Sequence, residues 1–294
     1  MTRIAVAVCS AGRPDALAAI IPSFAHQTRP ADRVLVVVTR LDDLPWTTPP
    51  PGVEARIADK GLALQRNTAL EMVMDDCDIV VFFDDDFIPS QHALAGVENV
   101  FATMPEVSGL TGIVLADGAV GPGISFVNAQ RMVQEHDASI GDTPPAWQVK
   151  VRNIAGLYGC NMAYRLSAIR DLRFDEVLPL YGWQEDIDFS ARVPGVLIRT
   201  NAMVGVHCGA KNGRETAGHR LGYSQIANPL YLWNKGTLST RFAARLMLRN
   251  MAANHLRALR PEPWIDRLGR ARGNWIAIAD AVKGRIDPRR ILNL

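Results

Sequence analysis

The sequence predicts an α/β protein with a mostly parallel, Rossmann-like sheet flanked by helices and a helical C-terminal extension. Three observations support this fold class. Short apolar runs, typical of strands buried on both faces, recur through the first two-thirds of the chain. Helical stretches alternate with these runs, which favours parallel strands joined by right-handed crossovers. From about Gly218 the chain is mainly helical, with Arg and Lys interleaved among Leu, Met and Trp.

The predicted elements follow one another in a regular order. Ile4–Cys9 is a first buried strand, and Pro14 lies in the first turn of a helix that runs to about Gln27. Ser90 is a plausible N-cap for a later helix that ends near Met104. The other predicted elements are strands at 34–39, 53–57, 80–83, 109–115, 159–164 and 196–206 and a helix at 61–74. Residues 117–150 are rich in Gly and Pro, and we expect irregular or edge structure there.

Composition argues against several classes of protein. A net charge of +2 over 294 residues gives no reason to expect nucleic acid as a partner. The four cysteines are scattered and lack metal-ligand spacing, so we expect reduced thiols. The N-terminal apolar stretch is too short for a signal peptide, and no apolar run approaches the roughly 20 residues of a membrane span. These features favour a cytoplasmic protein, with peripheral contact at the inner face of the membrane left open.

Three aspartates, Asp84, Asp85 and Asp86, directly follow the apolar run at 80–83. Adjacent carboxylates repel each other and resist burial, so a cation is expected to neutralise them. Ligands of open α/β sheets bind beyond the carboxyl ends of the strands, and hard oxygen ligands suit Mg²⁺ or Mn²⁺. The cluster therefore predicts a divalent-metal site, the alternative being a solvated acidic turn that caps the next helix.

A second acidic cluster, Glu185, Asp186 and Asp188, follows Trp183. In a helix beginning near residue 184, Glu185 and Asp188 share a face and Asp186 points elsewhere. A carboxylate within reach of a hydroxyl acts as a general base, and an aromatic face suits the apolar side of a sugar ring. The alternative is that these carboxylates only complement the dipole of a first helical turn.

His207 ends an apolar strand, with Gly205 and Gly209 on either side. The glycines allow close approach of the backbone around it. A lone histidine is more often structural, but one that meets two aspartates across a crevice is a third metal ligand. Both interpretations of His207 follow from the sequence.

In this order, the motifs together resemble family 2 of the glycosyltransferases, which have the GT-A fold. The resemblance runs from Ile4 to about Gly209. The segment Gly61-Leu62-Ala63-Leu64-Gln65-Arg66-Asn67 resembles the Gly-x-x-x-x-Arg-Asn segment of that family, and Asp84-Asp85-Asp86 resembles its Asp-x-Asp metal motif. Glu185-Asp186 is similar to its Glu-Asp motif, which contains the catalytic base, and His207 to its late metal-binding histidine.

The resemblance implies a catalytic domain over 1–215, with a nucleotide-binding half at 1–115 and an acceptor-side half at 116–215, followed by a helical extension at 216–294. It implies Asp186 as catalytic base, with Glu185 as second choice. The remaining implied contacts are Asp86, Asp84 and His207 with the metal; Trp183, Gly159 and Asn161 with the acceptor; and Ala7, Cys9, Ser10, Arg13, Asp42, Gly61, Arg66, Asp84 and Asp85 with the nucleotide.

Two segments depart from the family pattern and leave the nucleotide base open. The turn Cys9-Ser10-Ala11-Gly12-Arg13 replaces a Thr-Tyr-Asn-Arg-like turn, and Thr39-Arg40-Leu41-Asp42-Asp43 lacks the usual Asp-Asp-Gly-Ser appearance. A UDP-sugar is favoured as donor, with GDP- and dTDP-sugars as alternatives. The family's arginines suit phosphate because the guanidinium presents paired donors.

The resulting hypothesis is an inverting glycosyltransferase that depends on Mn²⁺ or Mg²⁺ and transfers a sugar to a hydroxyl of a glycan or lipid-linked acceptor in cell-surface polysaccharide or glycolipid assembly. A nucleotidyltransferase acting on sugar phosphates is an alternative. Such enzymes are expected to have a Gly-rich loop with a basic residue after the first strand, and Ser10-Ala11-Gly12-Arg13 matches that pattern only in part. A dinucleotide oxidoreductase is disfavoured because Gly-x-Gly-x-x-Gly is absent after the first strand. A non-catalytic carbohydrate-binding protein would not need both acidic clusters.

The segment 241–257 is basic and helix-forming. Arg241, Arg245 and Arg249 recur at spacings of four, so one stripe of the helix is cationic. Such a helix either lies on an anionic leaflet, where a lipid-linked acceptor is presented, or packs on the protein with its arginines in solvent. Its apolar neighbours are Phe242, Leu246, Leu248 and Met251.

Overall fold

The computed structural model describes residues 1–141, 147–209, 211 and 217–294. Its contacts divide the chain into two compact units, the first formed by 1–173 and 193–210 and the second by Phe174–Arg192 and 211–294. The domain boundary predicted at 215/216 lies outside the described residues. Residues 174–192, which the sequence placed in the first domain, cluster with the C-terminal helices.

The first unit is built around a nine-stranded sheet. The strands are β1 (Ile4–Cys9), β2 (Arg33–Val38), β3 (Val53–Ile57), β4 (Ile79–Asp84), β5 (Phe87–Pro89), β6 (Val107–Asp117), β7 (Val149–Arg152), β8 (Asn161–Arg165) and β9 (Val196–His207). Their order is β3-β2-β1-β4-β8-β6-β9-β5, and β7 pairs with β9. Strands β1 to β4 are mutually parallel, whereas β8 runs antiparallel between β4 and β6. The predicted mostly parallel sheet is confirmed.

Among the described residues, four α-helices belong to this unit: α1 (Pro14–Ala25), α2 (Leu62–Val73), α3 (Ala93–Thr103) and α4 (Phe126–Ile140). Pro14 occupies the start of α1 as predicted, where its missing N–H removes no helical hydrogen bond. The apolar strand residues and the inner faces of α1 and α3 form one core, in which Leu17, Ile20 and Val97 are fully buried. This core holds the carboxyl ends of β1 and β4 in fixed positions.

The prediction that Ser90 caps the helix after β4 is wrong. The helix begins at Ala93, with His92 at the cap position. Residues 87–89 form the short strand β5 against β9, and the Ser90 amide extends this pairing by donating to the Val204 carbonyl at 2.8 Å. The Ser90 hydroxyl donates to Asp137 instead of capping α3. The pairing of β5 with β9 therefore places Ser90 before the helix, although the local sequence predicted it as the helix cap.

The prediction of irregular or edge structure over 117–150 is wrong for residues 126–140. Helix α4 occupies 15 residues of that segment, and the Ser125 hydroxyl caps it by accepting from the Asn128 amide at 3.3 Å. Its buried residues, Ala129, Val133 and Asp137, recur every fourth position. Strand β7 follows, and the predicted loop residues Pro144 and Pro145 lie outside the described part of the chain.

The second unit consists mainly of helices: α5 (Glu185–Ala191), α6 (Gly218–Lys235), α7 (Thr240–Arg257), α8 (Arg267–Val282) and a 3-10 helix over Pro288–Asn293. The backbones of α6 and α8 approach closely at Gly222. A Cβ atom on that residue would lie 2.0 Å from the Arg270 carbonyl oxygen, so the close approach needs a glycine. The buried residues of α7 are Ala243 and Asn254. Among the helices of the described chain, none is both long enough and apolar enough to cross a bilayer.

Candidate functional site

The carboxyl ends of β1 and β4 lie side by side, with Cys9 paired to Asp84. The three aspartates that follow β4 differ in exposure. The Asp84 side chain is 31% exposed, whereas Asp85 and Asp86 are buried. Buried carboxylates need positive or hydrogen-bonding partners, so the question is what each one binds.

Asp85 is held at both carboxylate oxygens. Arg13 donates to it from Nε at 2.9 Å and from a terminal nitrogen, and the Ser10 hydroxyl donates at 2.5 Å. Burial holds the pKa of Asp85 above its usual value, even though Arg13 acts to lower it. Asp85 therefore ties the end of β4 to the turn after β1, and it is not a member of the candidate metal cluster described below.

Arg66 and Gln65 of α2 secure the same edge. Arg66, which is 2% exposed, donates to Asp84 at 3.3 Å and to the Gly159 carbonyl at 3.0 Å. Gln65 Nε2 donates to the carbonyls of Ser10 and Val37 at 2.8 Å each, which links β1 to β2. Sequence reasoning did not single out Gln65, although it lies inside the segment that supplied Arg66.

Asp84, Asp86 and His207 form a candidate metal centre. One ligand atom from each residue lies within 4.8 Å of the other two. His207 Nε2 is 3.3 Å from an Asp86 oxygen. Two carboxylates and an imidazole form a donor set that suits Mn²⁺ and also admits Mg²⁺, so the residues present fit a divalent cation.

The far side of the His207 ring is fixed by two residues that the sequence did not reveal. Asp117 Oδ1 is 2.9 Å from His207 Nδ1, and the Tyr158 hydroxyl donates to Asp117 Oδ2 at 2.8 Å. Burial alone would lower the pKa of His207, but hydrogen bonds to Asp117 and Asp86 raise it to about 10. A metal held by Nε2 would leave Nδ1–H bonded to Asp117, the arrangement that orients metal-binding histidines.

Two glycines allow the ends of β6 and β9 to meet. A Cβ atom on Gly118 would lie 1.9 Å from the Cys208 carbonyl oxygen. Gly209 has φ +64°, and a Cβ atom there would lie 2.2 Å from the Ala119 nitrogen. Neither position accepts a side chain, so these glycines bring Asp117 and His207 into contact.

We predict that Asp117→Asn weakens Mn²⁺ binding by about 10- to 100-fold, because the orienting partner of a metal ligand is worth about that much affinity. Metal-free thermal stability is expected to fall as well, because, against the effect of burial, bonds to His207, the Ala119 amide and Tyr158 hold the pKa of Asp117 at about 2, so affinity is measured below the melting temperature of the variant. Electron paramagnetic resonance of free Mn²⁺ gives the binding isotherm. Asp171→Asn, which changes an exposed aspartate elsewhere in the same unit, is the matched control. Equal affinity in the two variants would remove the orienting role from Asp117.

Four further predicted nucleotide contacts, Ala7, Cys9, Asp42 and Gly61, lie in different local environments. Ala7 is fully buried in the middle of β1, and Gly61 is the N-cap of α2. Asp42 is exposed in a 3-10 turn, while the adjacent Asp43 is buried and accepts from the Thr39 hydroxyl at 2.7 Å. Burial raises the pKa of the Cys9 thiol to about 12, so this thiol stays neutral.

A cavity of about 460 Å³ opens at the carboxyl ends of β2 and β3. Its volume lies within the range of small-molecule sites. Most of its wall is apolar, and one cation belongs to it. The lining residues are Val38, Leu41, Leu44, Ala55, Arg56 and Ile57.

Two of the predicted acceptor contacts, Gly159 and Asn161, form hydrogen bonds within the protein. The Gly159 carbonyl is engaged by Arg66. Asn161 is fully buried, and its Oδ1 accepts from the Thr111 hydroxyl at 2.6 Å. Its Nδ2 has no hydrogen-bond partner among the described residues. Asn161 therefore lies beneath the site surface, where it supports β8.

In the second unit, the carboxylates of α5 divide as the helical spacing predicted. Glu185 and Asp188 are buried and Asp186 is partly exposed. Asp188 accepts from Arg192 at 2.8 Å, Lys235 at 2.9 Å and Thr237 at 2.8 Å, so both of its oxygens are occupied by structural bonds. Asp188 is thereby excluded as a base that faces solvent.

The turn before α5 has an unusual backbone. Leu180, Gly182 and Gln184 have φ values of 57°, 60° and 77°. A left-handed conformation at a leucine and a glutamine is costly, and such strain clusters at functional segments. Trp183 lies inside this turn, partly buried, and its carbonyl accepts from Asn228 at 2.8 Å. The turn thus presents Trp183 immediately before Glu185 and Asp186.

No family model and no curated protein matches the sequence. The structure is similar to residues 1–349 of TarS from S. aureus, with a TM-score of 0.54 at 14% identity over 99% of this chain and 82% of that one. It is also similar to the mannosyltransferase PcManGT from Pyrobaculum calidifontis in complex with GDP-Man and Mn²⁺, with a TM-score of 0.55 at 17% identity over 96% of this chain and 86% of that one. The chain therefore has the GT-A-like fold of glycosyltransferases, as the sequence predicted.

Proposed function

We propose that this protein is an inverting, metal-dependent glycosyltransferase that moves a sugar from a nucleotide diphosphate sugar to a hydroxyl acceptor. The observation that carries the proposal is the Asp84–Asp86–His207 cluster at the carboxyl edge of a GT-A-like sheet. A divalent cation held there supplies positive charge that neutralises the diphosphate leaving group. The similarity to a protein in complex with GDP-Man and Mn²⁺ supports this choice of donor class and ion.

The nucleotide is proposed to extend from the metal centre toward β2 and β3. Neighbouring strands lie about 4.8 Å apart, so the end of β2 is roughly 10 Å from the end of β4. This separation leaves room for a ribose between the diphosphate and the cavity bounded by Leu41 and Ile57. We propose that the base occupies that cavity, while Arg13 and Arg66 contribute positive charge near the phosphates.

We propose Asp186 as the base that removes the proton from the acceptor hydroxyl as it attacks the anomeric carbon. Attack from the face opposite the diphosphate inverts the configuration, and no covalent intermediate is needed. The partial exposure of Asp186, against the burial of Glu185 and Asp188, favours it among the three carboxylates. We propose Trp183 as a platform for the acceptor, which we take to be a glycan or a lipid-linked sugar in cell-surface polysaccharide or glycolipid assembly.

A thermal-shift screen of UDP-, GDP-, dTDP- and CMP-sugars, with and without Mn²⁺, tests the donor class. A ligand that binds the native state raises the melting temperature with its concentration above Kd. We expect one nucleotide sugar to raise the melting temperature only when Mn²⁺ is present. We also expect the protein to release the sugar from that nucleotide in the presence of acceptor or water. A protein that no nucleotide sugar stabilises under any condition would contradict the proposal.

Arg13→Gln is expected to raise the Kd of that donor at least tenfold, because a charge-assisted hydrogen bond contributes about 1.5–3 kcal/mol. Glutamine keeps a hydrogen-bond donor for Asp85 but loses the charge. Isothermal titration calorimetry measures the change. Arg131→Gln, on an exposed arginine of α4 that pairs with Glu135, is the control. An unchanged Kd in Arg13→Gln would restrict Arg13 to holding Asp85.

A further inference from the structure

The last two long helices expose large apolar side chains that a folded protein normally covers. On α7 and just after it, Leu248, Leu256 and Leu259 are 68%, 71% and 85% exposed. On α8, Trp275 and Val282 are 58% and 84% exposed. Contiguous exposed apolar surface marks a site of interaction with another molecule.

Apart from Leu256, which lies beside them, these residues belong to two stripes that lie side by side. Leu268, Arg272, Trp275, Ala279 and Val282 follow a spacing of four and three along α8, so they share one side of that helix. Leu248, Ala252, His255 and Leu259 follow the same spacing along α7 and its C-terminal end. Trp275 Nε1 donates to His255 Nε2 at 2.9 Å, and this hydrogen bond joins the two stripes. We call the combined surface, with the arginines beside it, the outer face.

A buried amide network fixes α7 against α8. Asn254, which is fully buried, donates to Gln225 at 2.7 Å and to Asn274 at 3.0 Å, and it accepts from Arg267 at 3.2 Å. Asn274 in turn donates to the Gly222 carbonyl at 2.6 Å. Satisfied buried networks of this kind specify a single packing, so the outer face is formed in advance of any partner.

The outer face is predominantly cationic. Apart from Asp280 of α8, the carboxylates nearest to it in sequence are Glu262, which is paired with Arg257 and Arg267, and Asp266 in the turn between the helices. The sequence has no Asp or Glu from 236 to 261, and the single carboxylate of α8, Asp280, is buried and paired with Arg285 and Arg290. Within the described ranges, five exposed arginines form no ion pair with any described carboxylate. They are Arg241, Arg245, Arg249, Arg260 and Arg272.

We propose that the outer face of α7 and α8 is a docking surface for an anionic membrane leaflet. Exposed Leu, Trp and Val supply apolar area for the interfacial region, and unpaired arginines attract anionic lipid headgroups. A second copy of the chain is a poorer partner, because a two-fold interface places the same patch on both subunits and sets arginines against arginines. The outer face extends the basic segment predicted at 241–257 onto a second helix, and its docking does not depend on which sugar is transferred.

Co-sedimentation of the full chain with vesicles tests the proposal. We expect binding to vesicles of equal parts phosphatidylcholine and phosphatidylglycerol at about 0.05 M salt, much weaker binding at about 0.5 M salt, and little binding to phosphatidylcholine alone. Each lost cation is expected to weaken partitioning about fivefold, so Arg245→Glu/Arg249→Glu should weaken it by about 30-fold or more. Leu248→Ser/Trp275→Ser should weaken binding at both salt concentrations, because it removes apolar area.

Two matched variants on α4 act as controls. Arg131→Glu reverses an exposed arginine, and Val127→Ser removes a valine that is 74% exposed. Both should bind vesicles like the wild type, and all of these variants should retain its melting temperature. Absence of binding to anionic vesicles at low salt would overturn the proposal. Binding that the outer-face variants and the α4 variants reduce equally would overturn it too, as would self-association in analytical ultracentrifugation that Leu248→Ser/Trp275→Ser abolishes.

Discussion

Replacing Asp86 with alanine is expected to lower metal-dependent turnover by about 10³-fold or more. A bound cation contributes several kcal/mol to the stabilisation of developing charge, and about 1.4 kcal/mol corresponds to a factor of ten in rate. Asp86 is the buried carboxylate of the candidate metal centre and contacts His207 at 3.3 Å, so its loss removes one ligand and a partner of another. Donor turnover measured against Mn²⁺ concentration reports the change.

Stability should respond differently from activity. Asp86 lies beside two other carboxylates, so its removal relieves repulsion, and this relief offsets the loss of its contacts with Arg13 at 3.4 Å and His207 at 3.3 Å. The melting temperature of Asp86→Ala, measured without metal, is therefore expected to stay within about 4 °C of the wild-type value, the shift that 1 kcal/mol produces in a unit of this size. Asp171→Asn is the control for turnover. Full activity of Asp86→Ala in excess chelator would show that the reaction does not use this centre.

The metal motif was visible in the sequence because its signal is local. Three carboxylates after an apolar run are unusual whatever the fold, and the ordering of strands then placed them at a ligand-binding edge. Asp117 carries the same signal, since it ends the apolar strand β6, but it stands alone in a Gly-rich context. Its role depends on the pairing of β6 with β9, which places it opposite His207. No local pattern specifies that register.

The errors around Ser90 and α4 have a related cause. Ser90 has the side chain of a helix cap, but the pairing of Phe87–Pro89 with β9 delays the helix and turns the hydroxyl toward Asp137. Helix α4 was not predicted for two reasons. Glycines and prolines flank it, and the buried residues among its 15 are only Ala129, Val133 and Asp137. A helix with so narrow a buried stripe, one member of which is a carboxylate, gives a weak hydrophobic pattern.

The three carboxylates of α5 illustrate how structure separates roles that sequence leaves open. Asp188 is fully buried and bonded to Arg192, Lys235 and Thr237. Removing its buried charge weakens its charge-assisted bonds with Arg192 and Lys235, so Asp188→Asn should lower stability by about 2 kcal/mol. Asp186 is partly exposed, and its Oδ1 accepts from the Ile187 amide at 2.8 Å. Because Asp186 is partly exposed, loss of its charge is expected to cost the fold less than loss of the buried Asp188 charge.

Asp186→Asn is accordingly expected to lower sugar transfer by about 10² or more, the usual contribution of a general base. Asparagine has nearly the same shape and keeps an oxygen for the Ile187 amide, but it does not take up a proton as a carboxylate does. Donor affinity and melting temperature should remain close to the wild-type values. Steady-state transfer to an acceptor, with donor Kd from calorimetry, separates the chemical step from binding.

Glu185→Gln and Asp188→Asn are the matched controls, because each neutralises a neighbouring carboxylate of the same helix. Asp188→Asn should be less stable than the wild type. The part of it that remains folded should transfer sugar faster than Asp186→Asn does. If Glu185→Gln instead shows the hundredfold loss with its fold intact, the base is Glu185. The decisive quantity is turnover per folded molecule. Loss of the catalytic base lowers this turnover, whereas loss of a structural carboxylate lowers the amount of folded protein.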